Sequence, residues 1–443
     1  MNMRSRIIIA LLSLALLSAC GGSAGSNTGA TPTGTDMPPA TETSSSEPVN
    51  PALTPVDTRQ NGMATTLANG LVSLQIGANG NVNSFTRDGK EFAVATSSSG
   101  AFYFSYNSNA YYNLNPTRVQ LVQSGGAVGE VAYISDQGEL HLEQHYAVRQ
   151  GLSGFYSWLI VRNLKAPITL NEMRFVYRSN RSLLDTAYNA ERQGTLPRTA
   201  ELADSTVLQD ATYQLPDGRV FTKYDWASYV DDDRFHGHMG KGYGFWVVPA
   251  SHEYETGGPA KQELMVHDDA LSLMMLHGAH FGAGPLELAT GFSKLYGPWL
   301  VYLNKGPDQA ALLADVTARA REEREAWPYR WLQHSLYPQK AERGTVTGQM
   351  LLGGQPAAGF QVVLSQPGGD YLHNGLAYNF WTKADANGHF SIPNVRPGRY
   401  SLYAHATGGT ATTQFERNNI DIHEGNNPIG ILNASVPART LLW

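Results

Sequence analysis

The chain has 443 residues, with 32 basic and 38 acidic side chains and a net charge of −6. These charges are scattered along the sequence without the basic stripe of a nucleic-acid binder, so nucleic acid is excluded as a partner. One cysteine, Cys20, leaves no intramolecular disulfide, and a secreted fold of this sequence must rest on its core alone.

Arg4 and Arg6 precede an apolar run from Ile7 to Leu17. That run is about half of the roughly 20 residues needed to cross a bilayer, so it reads as the targeting part of a secretory signal. Leu17-Ser18-Ala19-Cys20 follows and resembles the lipobox of bacterial lipoproteins, in which the cysteine is acylated after cleavage. Residues 1–20 are therefore expected to be a lipoprotein signal peptide, with Cys20 as the lipidation site and a membrane anchor. Gly21, rather than Asp, after the cysteine resembles lipoproteins sorted to the outer membrane. The expected location is the cell envelope of a Gram-negative bacterium. Residues 21–60 are rich in Ser, Thr, Gly, Pro and Ala. Such a segment buries too little apolar surface to offset ordering entropy and is expected to be a disordered tether.

The rest of the chain is too long for one small core and predicts two domains. Leu71-Val72-Ser73-Leu74-Gln75-Ile76 alternates apolar and polar residues, and Ala78-Asn79-Gly80-Asn81 supplies a turn. The rhythm returns at Val119–Val122, Glu139–Leu142 and Gly154–Val161. Many short strands between Gly, Asn and Asp turns predict a large antiparallel sandwich. Pro307 to Trp327 breaks the pattern, because Leu312, Val316 and Ala320 recur at helical spacing behind a proline. It predicts one amphipathic helix near the domain boundary, and Trp327, Tyr329 and Trp331 predict a packed junction. From Gly344 the texture becomes a small sandwich with turns at Asn387-Gly388 and Pro397-Gly398.

The residue types that carry chemistry cluster in the middle. Phe221-Thr222-Lys223-Tyr224-Asp225-Trp226 is followed by Asp231-Asp232-Asp233-Arg234-Phe235-His236-Gly237-His238. Then come Glu253-Tyr254-Glu255-Thr256-Gly257-Gly258-Pro259, Lys261-Gln262-Glu263-Leu264 and Leu276-His277-Gly278-Ala279-His280-Phe281-Gly282. Upstream, Arg174 and Arg178 frame Phe175-Val176-Tyr177. The Asp231–Asp233 run offers the oxygen ligands that calcium takes, but a solvated loop is the stronger reading. His236 and His238 beside Asp233 likewise fit a packed loop better than a metal site, so no cofactor is expected.

In the order and content of these clusters, Leu67 to Trp331 resembles the catalytic domain of polysaccharide lyase family four, the rhamnogalacturonan lyases, and the resemblance extends through the small C-terminal sandwich. It implies an all-β protein: a large antiparallel β-super-sandwich over 61–335, then a fibronectin type III-like β-sandwich over 343–437. It implies endolytic β-elimination in rhamnogalacturonan I, a pectic polysaccharide, leaving a 4,5-unsaturated galacturonate. Carried over by motif, Lys223 of Thr-Lys-Tyr would be the general base and His277 of Leu-His-Gly the general acid. Arg174 and Arg178 would hold the substrate. In the family a jelly-roll carbohydrate-binding domain follows the small sandwich, whereas this sequence stops at Trp443.

The chemistry supports such a set independently. The C5 proton of a galacturonate is acidic only if charge developing on the adjacent carboxylate is stabilised, which calls for fixed cations. Positions four apart on a strand share a face, so Arg174 and Arg178 would point into one cleft. Against this, a lysine on a strand is ordinarily a solvated group, a histidine beside glycine ordinarily structural, and two arginines ordinarily ion-pair partners. The alternative is a non-catalytic glycan-binding surface lipoprotein in which Trp226, Tyr229, Tyr243 and Trp246 stack on sugar rings. Hydrolysis is a weaker option, since no carboxylate pair is marked out for it.

Overall fold

The computed structural model describes residues 48–95, 100–368, 370–409 and 411–436. The lipobox with Cys20, the tether as far as residue 47 and the last residues from 437 onward lie outside the described residues.

Short alternating segments become the antiparallel strands of a sandwich. Val72–Ile76 pairs with Ala64–Ala68 on one side and Val82–Arg87 on the other. Gly154–Arg162 pairs with His141–Arg149 and with the long strand Ser293–Lys305. In a second layer, Glu172–Arg178 lies between Phe102–Asn107 and Leu271–Gly278. We refer to Glu172–Arg178 as the arginine strand and to Leu271–Gly278 as the histidine strand. Between the layers sits an aromatic core in which Phe155, Leu159 and Trp299 face Phe102, Phe175 and Tyr177. Burying such rings contributes on the order of 1.5–3 kcal/mol each, which is how the fold stands without disulfides.

Alternation puts the other side of each strand to use. Tyr156, Trp158 and Ile160 point away from the main core and are covered by the helix Gln309–Ala326, through Leu312, Val316 and Ala320. Asp308 caps that helix by accepting the Ala311 amide at 2.8 Å. Trp327, Tyr329 and Trp331 are buried in the same cluster, and Tyr329 and Trp331 stack at 5.4 Å. On the opposite outer face, Val176, Leu273 and Met275 form a smaller apolar cluster with Ala227 and Leu264 of the two-stranded sheet Ala227–Tyr229 and Gln262–Leu264.

The small C-terminal sandwich holds its own core of Val346, Val362, Leu364, Ile392 and Leu402 between two sheets. Its first strand, Gly344–Leu352, pairs in parallel with its last, Gly425–Ala434. The Asn387-Gly388 turn requires its glycine: Gly388 has φ +78°, and a Cβ there would meet the Met350 carbonyl oxygen at 2.2 Å.

A buried ion triad joins the two sandwiches. The Glu253 carboxylate accepts from Arg343 at 2.7 Å and from Arg396 Nε at 2.8 Å. Burial alone would raise the Glu253 pKa, but the two guanidiniums outweigh it and hold the carboxyl below its ordinary value. The arginines are further fixed by aromatic faces, Arg343 over Trp327 at 4.6 Å and Arg396 over Tyr378 at 3.7 Å. Nearby, Lys294 donates to the carbonyls of Gly375 and Ala377, both at 2.7 Å. Asp231 takes part as well, accepting from Trp381 Nε1 at 2.7 Å and pairing with Lys383 at 3.0 Å. The Asp231–Asp233 run is thus a seam between sandwiches, with Asp233 itself buried against His236.

Glu253→Gln should cost about 3–5 kcal/mol in denaturant unfolding, because it strands two buried guanidiniums. The sign of the pH effect follows from the depressed carboxyl. Its contribution is complete above the unfolded carboxyl pKa and is lost as pH falls through the folded value, so the variant should lose that limb of the acid-stability curve.

Candidate active site

The arginine strand carries two faces. Met173, Phe175 and Tyr177 enter the main core, while Glu172, Arg174, Val176 and Arg178 face outward. Arg174 and Arg178 therefore do share a side, as their spacing predicts. Arg174 pairs with Glu172 at 2.8 Å and lies over the Tyr111 ring at 5.9 Å. Arg178 sits four residues on, roughly 13 Å along the strand. There it donates to Tyr103 Oη at 3.2 Å and lines a cavity of about 120 Å³ with Arg181 and Asp269.

Lys223 begins a 3-10 turn, Lys223–Trp226, directly after the edge strand Val220–Thr222. Thr222 starts the turn by accepting the Tyr224 amide at 3.4 Å, and the Lys223 amide donates to the Ala211 carbonyl at 3.2 Å. The lysine Nζ lies 5.0 Å from the centre of the Tyr224 ring. Beside the same ring are His280, at 6.1 Å between centroids, and Phe281, at 5.9 Å. Tyr224 is tethered by its hydroxyl, which donates to Asp210.

The histidine beside the Lys223–Tyr224 pair is thus His280, whereas a bulge sets the direction of His277, the expected acid. Along the histidine strand, Leu271, Leu273 and Met275 oppose Arg178, Val176 and Arg174 on the outer face. Uninterrupted alternation would place His277 there too. The register shifts so that His277 opposes Met173 and Met275 opposes Arg174, leaving Leu276 as the extra residue. His277 turns inward, is 1% exposed, and meets Thr256 Oγ1 through Nδ1 at 3.0 Å. It packs on the other side of the sheet from Lys223.

His280 belongs to the short turn His280–Gly282 beyond the strand end, where Phe281 takes a left-handed φ of +55°. The turn is held from beneath by Lys261, whose buried Nζ donates to the carbonyls of Gly278, at 3.1 Å, and His280. Lys261 is also 3.3 Å from Glu263, but burial pushes the Glu263 carboxyl up to about 8 despite that neighbour. Glu263 is therefore largely protonated at neutral pH and leaves the Lys261 charge uncancelled. Burial, then the charges of Lys223, Lys261 and Arg174, lower the His280 imidazole to about 4. The four groups are near enough to act on one another, and they form a cationic pocket around a neutral imidazole.

Two other imidazoles are neutral for plainer reasons. His277 is lowered to about 3 by burial, then by Lys261 and Lys294, and His238 to about 3 mainly by burial. His238 meets Ser272 Oγ at 3.1 Å and His236 Nε2 meets the Leu273 carbonyl at 2.7 Å, which occupies both as structural groups. Among the described residues no group of three or more His, Cys, Asp or Glu is placed to hold a metal ion. Of the four aromatics considered as sugar platforms, Tyr243 and Trp246 are buried core, Trp226 is half-buried and Tyr229 is exposed.

The sequence reading passed over His280, Lys261, Tyr224 and Asp210 as functional groups. One signal favoured His280: His277 continues the apolar run Leu271–Leu276 and so was headed for burial, whereas His280 lies between Gly278 and Gly282 in a turn.

The β-sandwich thus collects cations, a neutral imidazole and an aromatic ring on one outer face, an arrangement that attracts anions. Residues 343–428 match the model of polysaccharide lyase family 4, domain II. The chain is 39% identical over 391 residues to the rhamnogalacturonate lyase of Dickeya dadantii strain 3937, covering 86% of this chain and 66% of that protein. It is 26% identical over 317 residues to the probable rhamnogalacturonate lyase B of Aspergillus niger, covering 64% of this chain and 44% of the relative. It is 28% identical over 298 residues to rhamnogalacturonate lyase B of Emericella nidulans, covering 60% and 44%. The chain belongs to polysaccharide lyase family 4, and it spans between 44% and 66% of the length of these relatives.

The imidazoles fix an acid response. Their folded pKa values of about 3 to about 4 lie below the ordinary 6.5, so their contribution to stability is present above pH 6.5 and is lost as pH falls toward those values. Histidine NMR should show His280 titrating near pH 4 in the free protein, and a midpoint above 6 would refute the cationic pocket.

Proposed function

We propose that the chain is a rhamnogalacturonan lyase that cleaves the rhamnose-to-galacturonate bond of rhamnogalacturonan I by β-elimination. The observation that carries this is that Lys223 and His280 both lie beside the Tyr224 ring, with the charges of Arg174 and Lys261 near the same imidazole. Family membership and relatives named as rhamnogalacturonate lyases support the same reading.

In the step, a galacturonate carboxylate meets Arg174 and the charge of Lys261, which stabilise the enolate-like charge that develops as C5 loses its proton. Lys223 gives up its own proton to solvent and, as the free amine, takes the C5 proton, while Arg174 and Lys261 remain the cations of the step. The C5–H electron pair becomes the C4–C5 double bond, the C4–O4 bond breaks, and His280 delivers a proton to the departing oxygen. An anionic substrate counters the charges of Arg174 and Lys261 near His280, which brings the imidazole back toward a proton it can hold and donate. Arg178 extends the binding face along the polymer, and no cofactor enters the step. Residues 4–20 support secretion as a lipoprotein anchored through Cys20, and Cys20→Ser should move the protein from the membrane to the soluble fraction.

The unsaturated uronate product absorbs in the ultraviolet, so turnover on rhamnogalacturonan I is read directly. Lys223→Ala and His280→Ala should each lower the rate by about 10²–10⁴-fold with polymer binding retained, since what they lose belongs to the transition state. Arg174→Ala should weaken binding as well. His277→Ala should act chiefly on stability. A Lys223→Ala protein with unchanged turnover would end the assignment.

A further inference from the structure

The seam between the sandwiches contains a cleft of about 460 Å³, and none of its lining residues belongs to the site around Lys223. That volume falls within the roughly 300–1,000 Å³ of small-molecule sites, which favour domain boundaries. Arg234 and Arg324 face this cleft, one from the loop after Asp233 and the other from the last turn of the helix. The other cations of the seam are matched, Arg343 and Arg396 by Glu253 and Lys383 by Asp231. Arg234 and Arg324 have neither a hydrogen bond nor an ion pair among the described residues. They lie close enough for the charge of Arg234 to join burial in lowering the Arg324 guanidinium below its ordinary value. Glu325 acts on Arg324 only from a distance and is itself paired with Arg321, so the two guanidiniums meet the cleft with no ion pair of their own and an anion there would engage both.

The walls say what kind of anion. Forked guanidiniums suit a planar carboxylate in bidentate geometry. Trp381, half-buried and stacked on His252 at 6.2 Å, borders the same space, and the Asn394 amide lies at its edge for a hydroxyl group. We infer that this cleft is a second, non-catalytic binding site for a carboxylated sugar ring, gripped by Arg234 and Arg324 beside Trp381. That the sugar is a uronate of the polymer rests on the lyase reading above. That the ligand is an anion attached to a polar ring rests on the cleft alone.

Trigalacturonate tests the two separately, because it carries the carboxylated ring but lacks the rhamnose bond of the proposed reaction. In calorimetric titration of the full chain at low salt, Arg234→Ala/Arg324→Ala should weaken its binding at the cleft by at least about tenfold. Arg174→Ala should leave that component in place, and Arg234→Lys/Arg324→Lys should restore only part of the loss, since charge returns without the fork. Both arginines are exposed, so these variants should fold, and a short rhamnogalacturonan oligosaccharide should still yield chromophore at the native rate. An isotherm unchanged in the double Ala variant would overturn the site. Displacement of trigalacturonate by an equal concentration of inorganic sulfate would reduce it to an anion hole and overturn the sugar. A native protein that gives no chromophore yet loses trigalacturonate in the double variant would end the lyase reading and leave the cleft standing.

Discussion

The arrangement depends on Glu253, one carboxylate shared by Arg343 and Arg396 in the buried seam. A buried ion triad is weak evidence of stabilisation, since desolvating three charges offsets most of their attraction. Its effect is geometric: it fixes where the chain leaves the large sandwich and passes through the Glu253–Pro259 loop. Gly257, with φ +88°, needs its missing side chain, because a Cβ would lie 3.0 Å from the Leu372 carbonyl oxygen. Two residues beyond Pro259 the chain reaches Lys261, whose ammonium holds the turn that carries His280. The union of the sandwiches and the placement of the catalytic candidate are thus consecutive parts of one segment.

Charge in the pocket is deliberately unequal. Lys223, Lys261 and Arg174 gather around His280, while the one nearby carboxyl buried against Lys261 is pushed toward its neutral form. Such a cluster of like charges is unfavourable on its own and is relieved by an anion. Asp210 and Glu172 restrain the excess without cancelling it, the first through the Tyr224 hydroxyl and the second through Arg174.

Much of this was legible in the amino-acid order. Period-two alternation located the strands around Leu74 and Phe155, and the spacing of Leu312, Val316 and Ala320 located the helix and its buried face. The shared face of Arg174 and Arg178 followed from strand geometry, while the role proposed for Lys223 came only through resemblance. What could not be read was the bulge at Leu276. One extra residue reverses the sidedness of everything after it, and nothing in Leu-Met-Met-Leu-His-Gly distinguishes a regular strand from a bulged one. The seam was hidden for another reason. Asp231, Glu253 and Gly257 look like polar loop residues until the partners Trp381, Lys383, Arg343 and Arg396, more than eighty residues away, are brought to them.

The parallel pairing of Gly344–Leu352 with Gly425–Ala434 sets a direction of travel. Gly344 follows Arg343 at the seam and is paired with Gly425, whereas Ala434 is paired with Leu352 at the opposite end. The polypeptide therefore enters the small sandwich at the large one and departs from its distal pole, roughly 30 Å away for a strand of this length. The module acts as a strut: a change in its length or tilt displaces whatever is joined beyond Ala434 without touching the residues around Lys223.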